Sequence, residues 1–372
     1  MGVDGTRQGA RRRARRTPRL TRTFAVIPAG GMGTRLWPRS RASTPKHVLP
    51  LGEHGRPLLR ATYDRARSLA DEVFVLTELR QRPIIEAVLP EVDSEHLILE
   101  PQARGTTNAY GLAALTLMAR DPSAVMLALP ADHVVRGTAK IAKAVRTAVR
   151  AAATTDSLIT VGLKPTFPSI GLGYIHATGR LTGGTLRVRR FIEKPDLASA
   201  RKYMRAGGYY WNLAWFSWRI EVFLEELARH APRHLAGLRK VVAARAAGDE
   251  PGAARLYGRL PVEVVDRSVM EKTGRLLLVP ADFDWADIGN WSELGDRVHA
   301  DDRGNSVEGE SVLVDTRGSL ILGDRRLIAA IGLEDMIIVD SEDALLVVPR
   351  SRAQDVRKVV EALRRARKTR YL

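Results

Sequence analysis

Phe24-Ala25-Val26-Ile27-Pro28-Ala29-Gly30-Gly31-Met32-Gly33-Thr34-Arg35-Leu36 is the stretch on which the reading of this chain turns. Its first half is a short apolar run without alternation, the pattern of a strand covered on both faces, and the glycines end it. Three glycines in four positions let the main chain approach a ligand without Cβ clashes, and their amides can form a nest for an anion. Arg35 adds a fork-shaped donor suited to phosphate, and Lys46, after Pro45, adds a mobile point charge. The spacing is neither that of a Walker A loop nor G-x-G-x-x-G. Taken alone, the loop is either a phosphate site or a tight turn.

Outward from this strand, apolar runs and helical stripes alternate. A helix is expected from Pro57 to Ala70, with strands at Val73–Leu76 and His96–Leu99. A helix then runs from Thr107 to Arg120, a strand covers Val125–Leu129, a helix Thr138–Ala153 and a strand Leu158–Leu163. This βα rhythm implies an α/β domain with a Rossmann-like, mixed but mostly parallel sheet carrying helices on both faces. Ligands in such sheets sit beyond the carboxyl ends of the strands, where the glycine loop and the turn Pro130-Ala131-Asp132-His133 both fall. After residue 165 the order becomes mixed: strands at Arg187–Ile192, Leu213–Trp218 and Arg275–Val279, helices at Glu221–Ala231 and Leu235–Tyr257. From Ser311, short apolar runs separated by Gly/Asp turns suggest a small, β-helix-like, β-rich C-terminal domain, closed by a basic amphipathic helix from Asp355 to Arg367. The expected division is a basic tail over 1–22, an α/β domain over 23–300 and the β-rich domain over 301–372.

Composition bounds the rest. The 372 residues are 45% hydrophobic and 27% charged, ordinary globular proportions. No apolar run approaches the roughly 18 residues needed to cross a bilayer, and the basic N-terminus lacks the apolar core of a secretory signal. With no cysteine there are no disulfides, thiolate metal sites or cysteine nucleophiles, which fits a cytoplasmic protein. The net charge of +17 is concentrated at the ends: residues 1–22 and residues 350–372 each carry +7, leaving +3 between them. A nucleic-acid-binding fold would concentrate charge on its folded face, so such binding is expected, if anywhere, only of the tail around Arg11–Arg16. That tail is otherwise read as a solvated, disordered segment.

Four further motifs carry chemistry. Asp132, at a strand end facing the glycine loop, is placed to hold Mg²⁺; alone it would equally suit a helix N-cap. Asp287, in Phe283-Asp284-Trp285-Ala286-Asp287-Ile288-Gly289-Asn290-Trp291, offers a second carboxylate, and two carboxylates with substrate phosphates make an octahedral Mg²⁺ site. Its alternative is a surface turn. In Phe191-Ile192-Glu193-Lys194-Pro195-Asp196, Glu193 could accept sugar hydroxyls while Lys194 meets a phosphate, or the two could be a strand-end ion pair. Asn212, among Tyr210, Trp211 and Trp215, suits the reading of hydroxyls, or lies in a buried aromatic strand.

In their order along the chain, these motifs resemble those of the mannose-1-phosphate guanylyltransferases. The resemblance rests on Gly30 to Arg41 with Pro45-Lys46, Glu100-Pro101 with Arg104, Leu129 to His133, Gly171 to Ile175, Phe191 to Asp196, Trp211-Asn212, Val269 to Lys272 and Trp285 to Trp291. It spans about residues 23–360. It implies a nucleotidyltransferase domain followed by a short β-helical domain, and the formation of GDP-mannose and pyrophosphate from GTP and mannose 1-phosphate. By position, Gly30, Gly31, Gly33 and Thr34 would cradle the nucleotide, with Arg104, Gly105 and Thr106 near the guanine. Arg35, Lys46 and Asp132 would be catalytic, and Asp132 and Asp287 would hold Mg²⁺. Gly173, Glu193, Lys194 and Asn212 would take the sugar phosphate. Some relatives carry a C-terminal cupin-type isomerase domain; the chain ends too early for one, so no isomerase activity is expected. The apolar C-terminal segment could form a homodimer interface. Two departures fall on the sugar side: Ala214 stands where the family usually has Gly, and Leu172 where it usually has Tyr. They keep open another sugar, for instance a heptose 1-phosphate. A catalytically silent, nucleotide-sensing homologue is a further alternative, against which the intact Arg35, Lys46, Asp132 and Asp287 argue.

Overall fold

The computed structural model describes residues 21–372. The arginine run of the expected tail lies outside the described residues. The first eleven strands are β1 (Thr23–Pro28), β2 (Glu72–Glu78), β3 (Leu97–Glu100), β4 (Val125–Ala128), β5 (His133–Arg136), β6 (Leu158–Leu163), β7 (Tyr174–Arg180), β8 (Leu186–Ile192), β9 (Tyr209–Arg219), β10 (Leu276–Ala281) and β11 (Asp284–Asp287). Nine of them form one sheet in the order β3-β2-β1-β4-β9-β6-β10-β8-β7. Pairing is parallel from β3 to β4 and between β6 and β10, and antiparallel where β9 inserts between β4 and β6 and where β8 and β7 close the edge. The sheet is therefore mixed, with its parallel part set by the βα rhythm of the first half.

The unbroken apolarity of β1 has its cause in two cores. Phe24 and Val26 pack on one face with Phe74, Met126 and Trp218, while Ala25 and Ile27 pack on the other with Val75, Leu127 and Trp215. Successive side chains point to opposite faces, so a strand covered on both sides must be apolar throughout. Helices Thr106–Met118 and Ile220–His230 cover the first face; Leu58–Arg67 and Thr138–Thr154 cover the second.

The single helix expected over Leu235–Tyr257 is instead two, Pro232–Ala246 and Glu250–Gly258. Gly248 takes a positive φ of 76° after the first helix, and Asp249 caps the second through the Gly252 amide (2.8 Å). Gly followed by Asp-Glu-Pro is a stop and a start written together.

The C-terminal part winds as a coil of strands: β12 (Ser306–Glu308), β13 (Ser311–Val314), β14 (Leu320–Leu322), β15 (Ile328–Ile331), β16 (Met336–Ser341) and β17 (Ala344–Pro349). Parallel rungs stack Ser306 on Leu320 on Ile337 along one wall, and β13 on β15 along another. Leu320, Leu322, Ile337 and Val339 point inward and meet Leu36, Trp37, Trp291 and Leu294, so this coil shares a core with the segment that follows the glycine loop. Among the described residues, no helix is long and apolar enough to cross a membrane.

Candidate active site

The glycine loop leaves β1 with the Ala29 amide bonded to the Leu76 carbonyl (2.8 Å). Gly30 and Gly31 have open space where a Cβ would stand. Gly33 is left-handed (φ 67°), and a Cβ there would lie 2.4 Å from the Lys46 Cβ. Glycine is thus needed at 33 both for the turn and to let Lys46 lie against it. Thr34 opens a short helical turn that carries Arg35 out and Leu36 into the core.

Asp132 follows β4, whose extension runs beside β1 through the Leu129–Val26 (3.0 Å) and Ala131–Pro28 (3.1 Å) main-chain bonds. It leads directly into β5. β5 pairs antiparallel with β11, setting His133 opposite Asp287. This two-stranded ribbon brings together carboxylates 155 residues apart in the chain. Between them stands the Lys46 ammonium, 2.8 Å from Asp132 Oδ2 and 2.6 Å from Asp287 Oδ1. Lys46 is buried (4% exposed). Burial alone would favour a neutral amine, but the two carboxylates outweigh it and raise the Lys46 pKa well above the ordinary lysine range. For Asp132, burial works toward the neutral acid, yet Lys46 and then His133 hold the carboxyl below the usual carboxylate range. Burial also lowers the His133 pKa, and the His133 Nδ1 accepts from the Trp215 indole (3.1 Å), which leaves the proton on Nε2. His47, beneath the loop, is pushed down to about 4 by burial and is neutral.

Arg35 extends over the same centre. Its guanidinium donates to Gln354 Oε1 (2.8 Å) and lies beside Gly289, whose amide is held by Glu293 (2.6 Å). A cleft of about 590 Å³ runs from Arg35 and Asp287 past Trp285 to Leu172 and Trp211. The remaining expected residues, Gly173, Glu193, Lys194 and Asn212, lie together in a cluster of their own. A Cβ on Gly173 would lie 2.8 Å from Glu193 Oε2 and 3.2 Å from the Asn212 Cβ. Lys194, at a positive φ of 49°, folds back on Glu193 (3.0 Å).

Arg104, Gly105 and Thr106 are used differently. Arg104 donates to the Leu260 carbonyl, Thr106 accepts from the Val265 amide (2.9 Å), and a Cβ on Gly105 would meet the Glu263 carbonyl at 2.2 Å. The two side chains seam the 260–265 segment to the helix that begins at Thr106. Sequence reasoning missed Asp266, Glu293 and Gln354. Asp266 and Glu293 each stand beside a motif already recognised; Gln354 carries no local signal.

Residues 24–303 match the model of the nucleotidyl transferase family. The chain belongs to that family. Residues 309–363 match a second model, the MannoseP isomerase/GMP-like beta-helix domain. The xanthan biosynthesis protein XanB of Xanthomonas campestris pv. campestris is 38% identical over 93% of this chain and 74% of its own length. A mannose-1-phosphate guanylyltransferase of Klebsiella pneumoniae is 36% identical over 93% of this chain and 75% of its own. Among solved structures, a protein described as a mannose-1-phosphate geranyltransferase from Thermus thermophilus superposes with a TM-score of 0.82. It is 34% identical, over 92% of this chain and all of that one.

Proposed function

We propose that the chain forms GDP-mannose and pyrophosphate from GTP and mannose 1-phosphate, in the cytoplasm. The observation that carries this reading is the cation–carboxylate centre of Lys46, Asp132 and Asp287, set beside the glycine loop, where Lys46 lies against Gly33. An oxygen of the sugar phosphate attacks the α-phosphorus of GTP in line. The new P–O bond forms as the bond to the β-phosphate bridging oxygen breaks, and pyrophosphate leaves with both electrons. No proton transfer and no covalent enzyme intermediate are needed. The work of the protein is to hold two anions against each other. The loop amides and Thr34 orient the triphosphate; Arg35 and Lys46 neutralise charge on the α-phosphate and the leaving group. Glu193 and Asn212 face the hydroxyls of the sugar, Gly173 leaves room for it, and Lys194 meets its phosphate.

The centre fits Mg²⁺. Lys46 occupies Asp132 Oδ2 and Asp287 Oδ1, which leaves one oxygen on each carboxylate, and both side chains keep solvent access (40% and 34%). Hard oxygen donors in this number, completed by phosphate and water, are the usual magnesium shell. When bound, the ion would add Lewis-acid stabilisation of the phosphoryl oxygens.

One observation favours a second reading. Leu172 lines the cleft, and Ala214 lies two residues from Asn212 at a positive φ of 53°. Both change the wall against which the sugar would rest, and a single methyl group can shift discrimination by about 1–3 kcal/mol. The alternative is therefore the same reaction on another sugar 1-phosphate, such as a heptose 1-phosphate. A homodimer would use the outer face of the C-terminal coil, where Val312, Val314 and Ile331 are exposed.

The test is pyrophosphate release by the purified protein with Mg²⁺ and GTP, across mannose, glucose and heptose 1-phosphates, with ATP, UTP and dTTP as controls. Turnover only with GTP and mannose 1-phosphate is expected. Turnover with a different sugar moves the substrate and keeps the chemistry; none with any pair, in folded protein, overturns the assignment.

A further inference from the structure

A carboxamide has four hydrogen-bonding valences, two lone pairs on oxygen and two N–H groups. The fold fills three of those on Asn212. Its Oδ1 accepts from the Ala214 amide (3.0 Å) and the Thr160 hydroxyl (3.3 Å), and its Nδ2 donates to Asp266 Oδ1 (2.9 Å). The Ala214 amide is a donor only, so the face turned to it must be the oxygen, and the nitrogen must face Asp266. One N–H is left over. The Asn212 side chain is buried (7% exposed) and packs beside Gly173, which also abuts Glu193. The spare N–H therefore belongs to the same cluster as the carboxylate expected to read the sugar.

Asp266 opens a wide helical turn, Asp266–Met270, immediately before Glu271, which accepts from the Glu193 amide (3.0 Å). Thr107 ties that turn to the helix it begins beside, through the Ser268 hydroxyl (2.8 Å). The turn is thus anchored on one side and braces the Glu193 main chain on the other. Lys194 pairs with Glu193, and among the described residues no basic group forms an ion pair with the Asp266 carboxylate. An acid placed without a paired counter-charge in a partly buried position costs stability, so packing alone gives no reason for its presence. Burial, and next the charge of Glu193, raise its pKa to about 7.

We propose that Asp266 is a positioning residue: it fixes the orientation of the Asn212 amide, so that the remaining N–H is presented to a hydroxyl of the sugar phosphate. This rests on the guanylyltransferase reading above. It assigns Asp266 an acceptor's role, which a neutral carbonyl oxygen can fill as well as a carboxylate.

The experiment compares Asp266→Asn, Asp266→Leu, Asn212→Ala and the double variant Asp266→Leu/Asn212→Ala in the full chain, varying GTP and sugar 1-phosphate separately. Asp266→Leu should raise KM for the sugar phosphate about tenfold, the order expected for one misdirected hydrogen bond. KM for GTP should stay within about twofold. Asp266→Asn should retain near-wild-type KM for both, and adding Asp266→Leu to Asn212→Ala should cost nothing further. Melting of Asp266→Leu at or above the wild-type temperature at pH 8 shows that its fold is kept. An unchanged sugar KM in a folded Asp266→Leu overturns the proposal. So does an Asp266→Asn as impaired as Asp266→Leu, or additive losses with Asn212→Ala. Absence of wild-type turnover with every sugar phosphate overturns the functional reading, and this proposal with it; the outcomes above overturn this proposal alone.

Discussion

Replacing Lys46 with Met keeps the length and most of the volume of the side chain but removes the charge between Asp132 and Asp287. Breaking a buried ion pair by removing one partner costs about 3–5 kcal/mol, because the other charge is left without compensation. Here each carboxylate is about a third or more open to water (40% and 34%), which screens part of that loss and places the figure nearer about 2–3 kcal/mol. With about 2.1 cal/mol/K of unfolding entropy per residue over the described 21–372, this amounts to a fall in melting temperature of about 3–4 °C. The pH dependence follows from the signs. The Asp132 pKa is held below its ordinary 3.8, so its contribution is present above that value and is lost as pH falls through the lowered one. The Lys46 pKa is held above 10.5, so its contribution is complete below that and is lost only at more alkaline pH. The deficit of Lys46→Met should therefore be flat from about pH 5 to pH 9 and shrink in acid. Two carboxylates relieved of their lysine should also respond to a divalent ion: Mg²⁺ should raise the melting temperature of the variant more than that of the wild type. Differential scanning calorimetry in chelator and in Mg²⁺ checks both statements. A variant that melts with the wild type at pH 7 in chelator, or that gains no more from Mg²⁺, would refute the account of this centre.

Arg35→Ala should lower kcat about a hundredfold or more while changing GTP binding much less, since the guanidinium is assigned to charge that builds in the transition state; steady-state kinetics with calorimetric GTP titration separates the two. Asp132→Lys should abolish Mg²⁺-dependent turnover, and wild-type-like rates in that variant would sink the metal assignment. Ala214→Gly should stabilise the protein by about 0.5–1 kcal/mol, because the positive φ of 53° strains an alanine more than the extra freedom of an unfolded glycine costs; urea unfolding reads this. Gly33→Ala should lose both stability and activity, because its Cβ would stand 2.4 Å from that of Lys46.

What the sequence made legible follows the physics of each element. The strands of the parallel half are long apolar runs with both faces covered, and β1, β2, β4 and β6 are readable as such. β5 and β11 are four residues each and mix Asp, Arg and His with Val and Trp, so no periodicity marks them. Yet it is their pairing that brings Asp132 to Asp287. The motifs could name both carboxylates without showing that a lysine stands between them. The positive φ of Ala214 was equally hidden, because nothing local to an alanine announces a bulge; it emerges only where β9 skips register against β6 between Asn212 and Phe216. Nor does the sequence around Arg104 announce that its side chain holds the Leu260 carbonyl, 156 residues away.

The core shared between the C-terminal coil and the segment after the glycine loop makes the two halves thermodynamic partners. Leu36 and Trp37 pack with Trp291, Val356 and Val360, the Trp37 indole donates to the Tyr371 carbonyl (2.7 Å), and Gln354 holds Arg35. Opening of the coil would thus withdraw support from Arg35 and the segment after the glycine loop, the residues proposed to hold the triphosphate. By reciprocity, a nucleotide seated on the loop would suppress that opening and slow amide exchange along residues 353–360, although the nucleotide itself need touch none of them.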